Sequence, residues 1–258
     1  MSDLVLSETS GGVLTLTLNR ADRKNALTHV MYAALGDAID AAGEDRAVRC
    51  ILIQGEGATF TAGNDLAEFA AVNAGDTGVT AGVRGNRLLE ALGRSRKPIV
   101  AAVQGHAVGV GVTMLLHCDL VYVADDAKLS APFVNLGLVP EAAASLLLPA
   151  RIGHARAFSM LAMGEVVDGP TAAAWGIANA CVPAADLRAR ARAGAEAVAA
   201  RAPAAVRLTR ALMRDAAAIV ARMAEEADHF HAQLLSPEAR EAIVAFSEKR
   251  APDFSRFD

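Results

Sequence analysis

The chain has 258 residues, 53% of them hydrophobic but only 4% aromatic, and a formal net charge of −4. A length near 250 suits one large α/β domain or a domain with a smaller appendage, and the mild acidity offers no field for nucleic acid. The longest apolar run, residues 108–116, has nine residues, whereas a membrane span takes roughly 20, so no membrane association is expected.

The first strand signal is Val13 to Leu18, where β-branched and aliphatic residues alternate. Thr28 is placed to cap a helix running to about Ala42, with Val30, Ala34, Leu35, Ala38 and Ile39 on one face. Residues 50–54, 99–103 and 120–124 are short, almost continuous apolar runs, as expected of strands covered on both faces. Helical periodicity lies at residues 81–92 and 110–117, and residues 70–80, with Gly75 and Gly78, read as a surface loop. Strands alternating with helices at this spacing indicate an α/β fold.

After about residue 150 helices dominate, at 154–163, 171–175, 184–200, 204–218, 219–235 and 238–246. Pro170, Pro203 and Pro237 stand at first turns, where the missing N–H does no harm. Alanine fills 58 positions and arginine outnumbers lysine 21 to 4. The Ala excess suits close-packed helices. A division into a core over residues 1–195 and a helical region over 196–258 is expected, the latter packed on the core or on neighbouring subunits. Cys50, Cys118 and Cys181 are far apart with no CxxC, and the chain starts without a charged-then-apolar leader. Both point to a reduced, cytoplasmic protein. No GxSxG, HExxH or Walker motif occurs, and no metal site is expected.

Two glycine-bearing turns follow buried strands: residues 59–66, containing Gly63 and Asn64, and residues 105–111. Each leads towards a helix and exposes backbone N–H groups. Two such groups brought together can hold a developing oxyanion; two ordinary tight turns would look the same in sequence. Glu141 follows Pro140 and precedes three alanines. If that segment is buried, desolvation raises the carboxyl towards the range useful for proton transfer. A first-turn Glu complementing a helix dipole is the alternative.

These pieces occur in one order. Residues 19–27 (NRADRKNAL), 55–66 (GEGATFTAGNDL), 97–105 (KPIVAAVQG), 118–120 (CDL), 131–133 (APF), 136–140 (LGLVP), 173–178 (AAWGIA) and 246–250 (FSEKR) together resemble the enoyl-CoA hydratase/isomerase (crotonase) superfamily over nearly the whole chain. The resemblance implies a ββα-spiral core with a C-terminal helical oligomerisation region, assembled as a homotrimer or hexamer. It implies an acyl-CoA thioester as substrate and no separate cofactor. The enolate-stabilising N–H donors would fall on Asn64 and Val110. Contacts to the acyl-CoA would fall on Arg23, Lys24, Ala26, Ala62, Asp65, Leu66 and Phe133, with Lys249 and Phe254 reaching the adenine end from the same or a neighbouring subunit.

The departures from the family pattern carry as much information. The two water-activating glutamates of the hydratases would sit where this chain has Thr113 and Phe133. Glu141 instead matches the position of the acid in Δ3,Δ2-enoyl-CoA isomerases, and in ring-acyl-CoA isomerases an Asp stands in a similar context. The resemblance therefore implies an isomerase with Glu141, Asn64 and Val110 as its catalytic set, with ring-acyl-CoA isomerisation and hydration as alternatives.

Overall fold

The computed structural model describes residues 3–73 and 86–257. Its main sheet has six strands in the order β1-β2-β3-β4-β6-β9. These are β1 (Val5–Ser10), β2 (Val13–Leu18), β3 (Cys50–Gly55), β4 (Ile99–Val103), β6 (Leu120–Ala124) and β9 (Ala180–Val182). β1 pairs antiparallel with β2, and all later neighbours are parallel. A second sheet joins β5 (His106–Val108), β7 (Lys128–Ser130) and β8 (Val167–Asp168).

Strand parity divides the interior into two cores, because alternate side chains leave opposite faces of a sheet. Leu14, Leu16, Ile51, Ile53, Ala101, Val121 and Val123 face the larger one, with Met31, Leu35 and Ile39 of α1 (His29–Glu44) and Leu88 and Leu92 of α3 (Arg87–Arg94). Val13, Cys50, Leu52, Val100, Ala102 and Tyr122 face the other. There Leu187, Ala191, Ala195 and Ala199 of α8 (Leu187–Ala199) cover them. That four-residue spacing makes one smooth stripe along the helix, so the Ala-rich sequence lets α8 lie close on the sheet.

The remaining helices are α2 (Leu66–Asn73), α4 (Val110–Thr113), α5 (Ala144–Ile152), α6 (His154–Ala162), α7 (Gly169–Trp175), α9 (Pro203–Met213), α10 (Ala216–Leu234) and α11 (Pro237–Ser247). Thr28 caps α1 by accepting from Met31 N–H, and Pro170, Pro203 and Pro237 all lie in first turns. Several expected elements differ. Residues 70–73 belong to α2 instead of a loop, since apolar Phe69 and Val72 pack inward; residues 74–80 of that expected loop, and 81–85 of the expected helix at 81–92, lie outside the described residues. The helix expected at 110–117 is α-helical to Thr113 and 3-10 from Met114 to His117. The one expected over 204–218 ends at Met213, because Asp215 turns the chain and caps α10 through Ala218 N–H. Cys50 and Cys118 are buried, and all three thiols are free. Among the described residues no helix is long and apolar enough to cross a membrane.

Candidate active site

Two segments that are remote in sequence run side by side at the edge of the second sheet. Thr61 forms a parallel bridge with Ala107. Thr61 N–H donates to His106 O at 3.0 Å, and Val108 N–H returns to Thr61 O at 3.1 Å. Three residues further along the two segments stand Asn64, which bridges Leu27, and Val110, which opens a short helix. Neither backbone N–H has a protein acceptor among the described residues. Two glycines permit the approach. Gly63 has φ +89°, and a Cβ there would stand 2.8 Å from Val108 O; a Cβ on Gly111 would stand 2.6 Å from Thr61 Cγ2.

The residue 19–27 segment fastens this arrangement from below. Asn25 is fully buried. Its Nδ2 donates to Glu56 O at 2.8 Å and Thr59 O at 2.7 Å, and its Oδ1 accepts from Arg20 N–H at 2.8 Å. Thr61 Oγ1 donates to Asn25 O at 2.7 Å. Leu27 N–H donates to Gly63 O at 2.8 Å and Asp65 N–H to Leu27 O at 3.0 Å, which brackets Asn64.

The Asn64 side opens on a cavity of about 550 Å³. Its walls are apolar at Leu27, Phe69, Leu89, Val220, Met223 and Phe230, and Asn64, Asp65, Tyr32 and Glu141 also reach it. Glu141 is only 6% exposed. Burial pushes its carboxyl up from 4.5 to about 7, the Thr113 hydroxyl pulls it partly back, and the nearby Glu226 charge pushes it up again. Thr113 Oγ1 donates to Glu141 Oε1 at 3.1 Å. Thr113 ends the short helix that Val110 begins, so one helical turn offers a free N–H at its start and steadies the carboxyl at its end.

Two left-handed residues follow Glu141: Ala142 has φ 61° and Ala143 φ 56°. Non-glycine residues seldom adopt that conformation, and it persists where neighbours enforce it. His117 does so here. It is fully buried, its Nε2–H donates to Ala142 O at 2.7 Å, and Arg214 donates to its Nδ1 at 2.6 Å. Burial, with Arg214 beside it, holds the imidazole neutral, its pKa pushed down to about 3. Tyr32 supplies a further polar group: its hydroxyl donates to Asn64 Oδ1. Burial, then the Glu141 charge, pushes that phenol well above its ordinary value, so it remains a proton donor.

The site residues expected from the sequence separate into groups. Glu141, Asn64 and Asp65 meet at the cavity, whereas Val110, at 0% exposure, belongs to the larger core and is not part of the cavity lining. Asp65 pairs with Arg20 at 2.7 Å. Arg23 and Lys24 are exposed on the turn before Asn25, and Ala62 N–H ties that turn by donating to Lys24 O at 2.9 Å. Ala26 O accepts from the Arg20 guanidinium, and Leu66 starts α2 against the core. Phe133 is 4% exposed and sits in the larger core, away from the cavity lining. Lys249, exposed with φ 55°, and half-buried Phe254 lie beyond α11 and do not reach the cavity within one chain. No cluster of three or more His, Cys, Asp or Glu placed for a metal occurs among the described residues.

Sequence reasoning missed Tyr32, His117 and Glu226. Glu226 had a signal, since it falls in the stripe of Ile219, Met223, Phe230 and Leu234 on α10, where a carboxylate is out of place. Tyr32 and His117 had none, because their roles depend on partners distant in sequence.

The family model described as enoyl-CoA hydratase/isomerase matches residues 8–256. The chain belongs to the enoyl-CoA hydratase/isomerase family. It is 36% identical to the 1,2-epoxyphenylacetyl-CoA isomerase of Escherichia coli K12 over 69% of each chain. It is 32% identical to a probable enoyl-CoA hydratase of Bacillus subtilis 168, over 89% of this chain and 90% of the relative. The crystal structure of an enoyl-CoA hydratase/isomerase from Pseudoalteromonas atlantica T6c superposes with TM-score 0.90 at 41% identity, covering 97% of this chain and 99% of the other. The fold is thus the crotonase fold, and the protein is an enzyme of a hydratase/isomerase family that acts on acyl-CoA.

Proposed function

We propose that this family member is an isomerase that moves a double bond in a 3-enoyl-CoA to give the 2-trans-enoyl-CoA. The observation that carries the reading is Glu141: one buried carboxyl at the cavity wall, poised at about 7, with a neutral hydroxyl as its hydrogen-bond donor. A group titrating near neutrality can take a proton and give it back with little driving force lost in either direction. Glu141 removes a proton from C2, the electron pair moves onto the thioester oxygen, and that oxygen rests on Asn64 and Val110 N–H. The protonated Glu141 then delivers to C4, and the double bond closes between C2 and C3. Thr113 and buried Phe133 supply no second carboxylate to orient an attacking water. The CoA portion reads onto Arg23, Lys24, Ala26, Ala62, Asp65 and Leu66, with Lys249 and Phe254 at the adenine end. Exposed Leu208, Leu212 and Met213 on α9 and Phe246 on α11 support a homotrimer or hexamer.

The test is turnover of 3-hexenoyl-CoA by wild type and Glu141→Gln, beside hydration of crotonyl-CoA. Loss of a positioned acid/base is expected to slow isomerisation by about 10²–10⁴-fold. Equal rates would overturn the role of Glu141, and fast hydration by the wild type would overturn the isomerase reading. A second reading keeps the same acid/base and changes the acyl group to a ring. It is favoured by the likeness to 1,2-epoxyphenylacetyl-CoA isomerase and by the Phe69 and Phe230 rings on the cavity wall, which meet edge-on at 6.0 Å.

A further inference from the structure

A second buried carboxylate lies under the loop that carries Glu141. Glu226 of α10 is 6% exposed. Its Oε1 accepts from Ser145 N–H at 2.9 Å and from Ser145 Oγ at 2.5 Å, and Ala143 N–H also donates to this carboxyl. Its Oε2 is buried with no hydrogen-bond partner among the described residues. One saturated and one bare oxygen is an unfavourable way to bury a carboxyl. A glutamine would hold the same backbone groups without the charge. The residues that Glu226 holds flank and include the left-handed pair following Glu141.

We propose that Glu226 is a positioning residue for Glu141: it pins the turn that aims Glu141 into the cavity and sets a second buried carboxylate against that turn. The proposal rests on Glu141 being the acid/base. Two like charges in a shared low-dielectric setting disfavour each other's ionisation. Glu226 therefore raises Glu141 on top of the effect of burial. Glu226 is itself pushed up by burial, and Ser145, Ala143 and Arg222 pull it back towards the ionised form. The cavity that Glu141 lines also carries His29 and Tyr32 of α1, Asp65 and Glu68 at α2, Glu90 and Arg94 of α3, and Asp228 and His231 of α10; Thr113 of α4 bonds Glu141, and His117 with Arg214 behind it bonds Ala142 O. His117 is neutral, and Arg222, the cation that acts on Glu226, also pairs with Glu225 at 3.2 Å.

The experiment follows the carboxyl carbons of the full chain by ¹³C NMR across pH, with kcat/KM profiles alongside. In Glu226→Gln the Glu141 midpoint is expected to fall by about half a pH unit or more, and the ascending limb of kcat/KM should follow it. Glu226→Asp, which keeps the charge, should return the midpoint towards wild type. Coupling is reciprocal, so Glu141→Gln must lower the Glu226 midpoint by the same amount. That arm holds even if Glu226→Gln does not fold. An unchanged Glu141 midpoint, with only thermal stability lost, would reduce Glu226 to a brace for α5 and overturn the proposal. Full activity of Glu141→Gln would overturn the acid/base reading instead, while the NMR coupling stands or falls independently.

Discussion

Replacing Glu141 by Gln should remove activity and make the protein more stable, but only at high pH. Folding lifts this carboxyl from 4.5 to about 7 because its ionised form is poorly solvated at 6% exposure. A group raised in the folded state contributes fully below its unfolded value and loses that contribution as pH climbs through the folded one. Above about pH 7 the native protein therefore carries a buried anion that the unfolded chain would hydrate. At ~1.36 kcal/mol per pH unit the gap from 4.5 to 7 corresponds to about 3 kcal/mol, an upper figure since the side chain and its surroundings relax. Glutamine has nearly the same shape and can still meet the Thr113 hydroxyl. For a chain of this size about 1 kcal/mol moves Tm by ~2–4 °C, so Glu141→Gln should melt about 3–10 °C above wild type near pH 8 and level with it near pH 5. Thermal scans of both proteins at matched concentration measure this, since any self-association would make Tm depend on concentration. A variant that is no more stable than wild type at pH 8, or equally shifted at both pH values, would refute the claim that Glu141 is held against its own ionisation.

Three other substitutions test the surrounding parts. Val110→Pro removes the N–H at the first position of α4, where proline is tolerated; kcat should fall about 10²–10³-fold with Tm nearly unchanged, and an undiminished kcat would exclude that N–H from the reaction. Thr113→Val removes the hydroxyl that pulls Glu141 down, so the ascending limb of kcat/KM should move to higher pH, and a shift to lower pH would contradict the hydrogen bond. His117→Leu strips a donor from Ala142 O and an acceptor from Arg214, each worth ~1–3 kcal/mol when left buried and unpaired. Wild type loses stability as pH falls from 6.5 towards about 3, because folding holds His117 neutral. The deficit of His117→Leu should therefore be constant above neutrality and shrink in acid, and urea titrations at several pH values would show it.

The parallel strands were readable because burial on both faces leaves unbroken apolar runs, as in Ile99–Val103. Helix starts at Thr28, Pro170, Pro203 and Pro237 followed from capping and from the fixed φ of proline. β1 was not foreseen, since as an antiparallel edge with exposed Thr9 and Ser10 it lacks an apolar run. Glu141 drew attention through its apolar neighbours, and its burial fits that reasoning. That the two glycine segments run side by side, joined at the Thr61–Ala107 bridge, was not legible locally, because the two partners lie far apart in sequence. His117 lies in the interior, and local sequence does not disclose that Ala142 O and Arg214 lie on either side of it.

The register between Thr61 and Ala107 also bears on how such a protein can change its diet. The donors proposed at Asn64 and Val110 belong to the main chain, so neither would depend on which side chain stands at its position. The cavity wall that would meet the acyl group is drawn from other elements, chiefly Val220, Met223, Ala224 and Ala227 of α10 with Phe69 of α2. On the proposed reading, reaction centre and tail pocket are thus separable modules. Mutation can reshape the tail pocket one side chain at a time while the donors stay in place, which makes α10 the natural target for directed evolution towards longer or cyclic acyl groups.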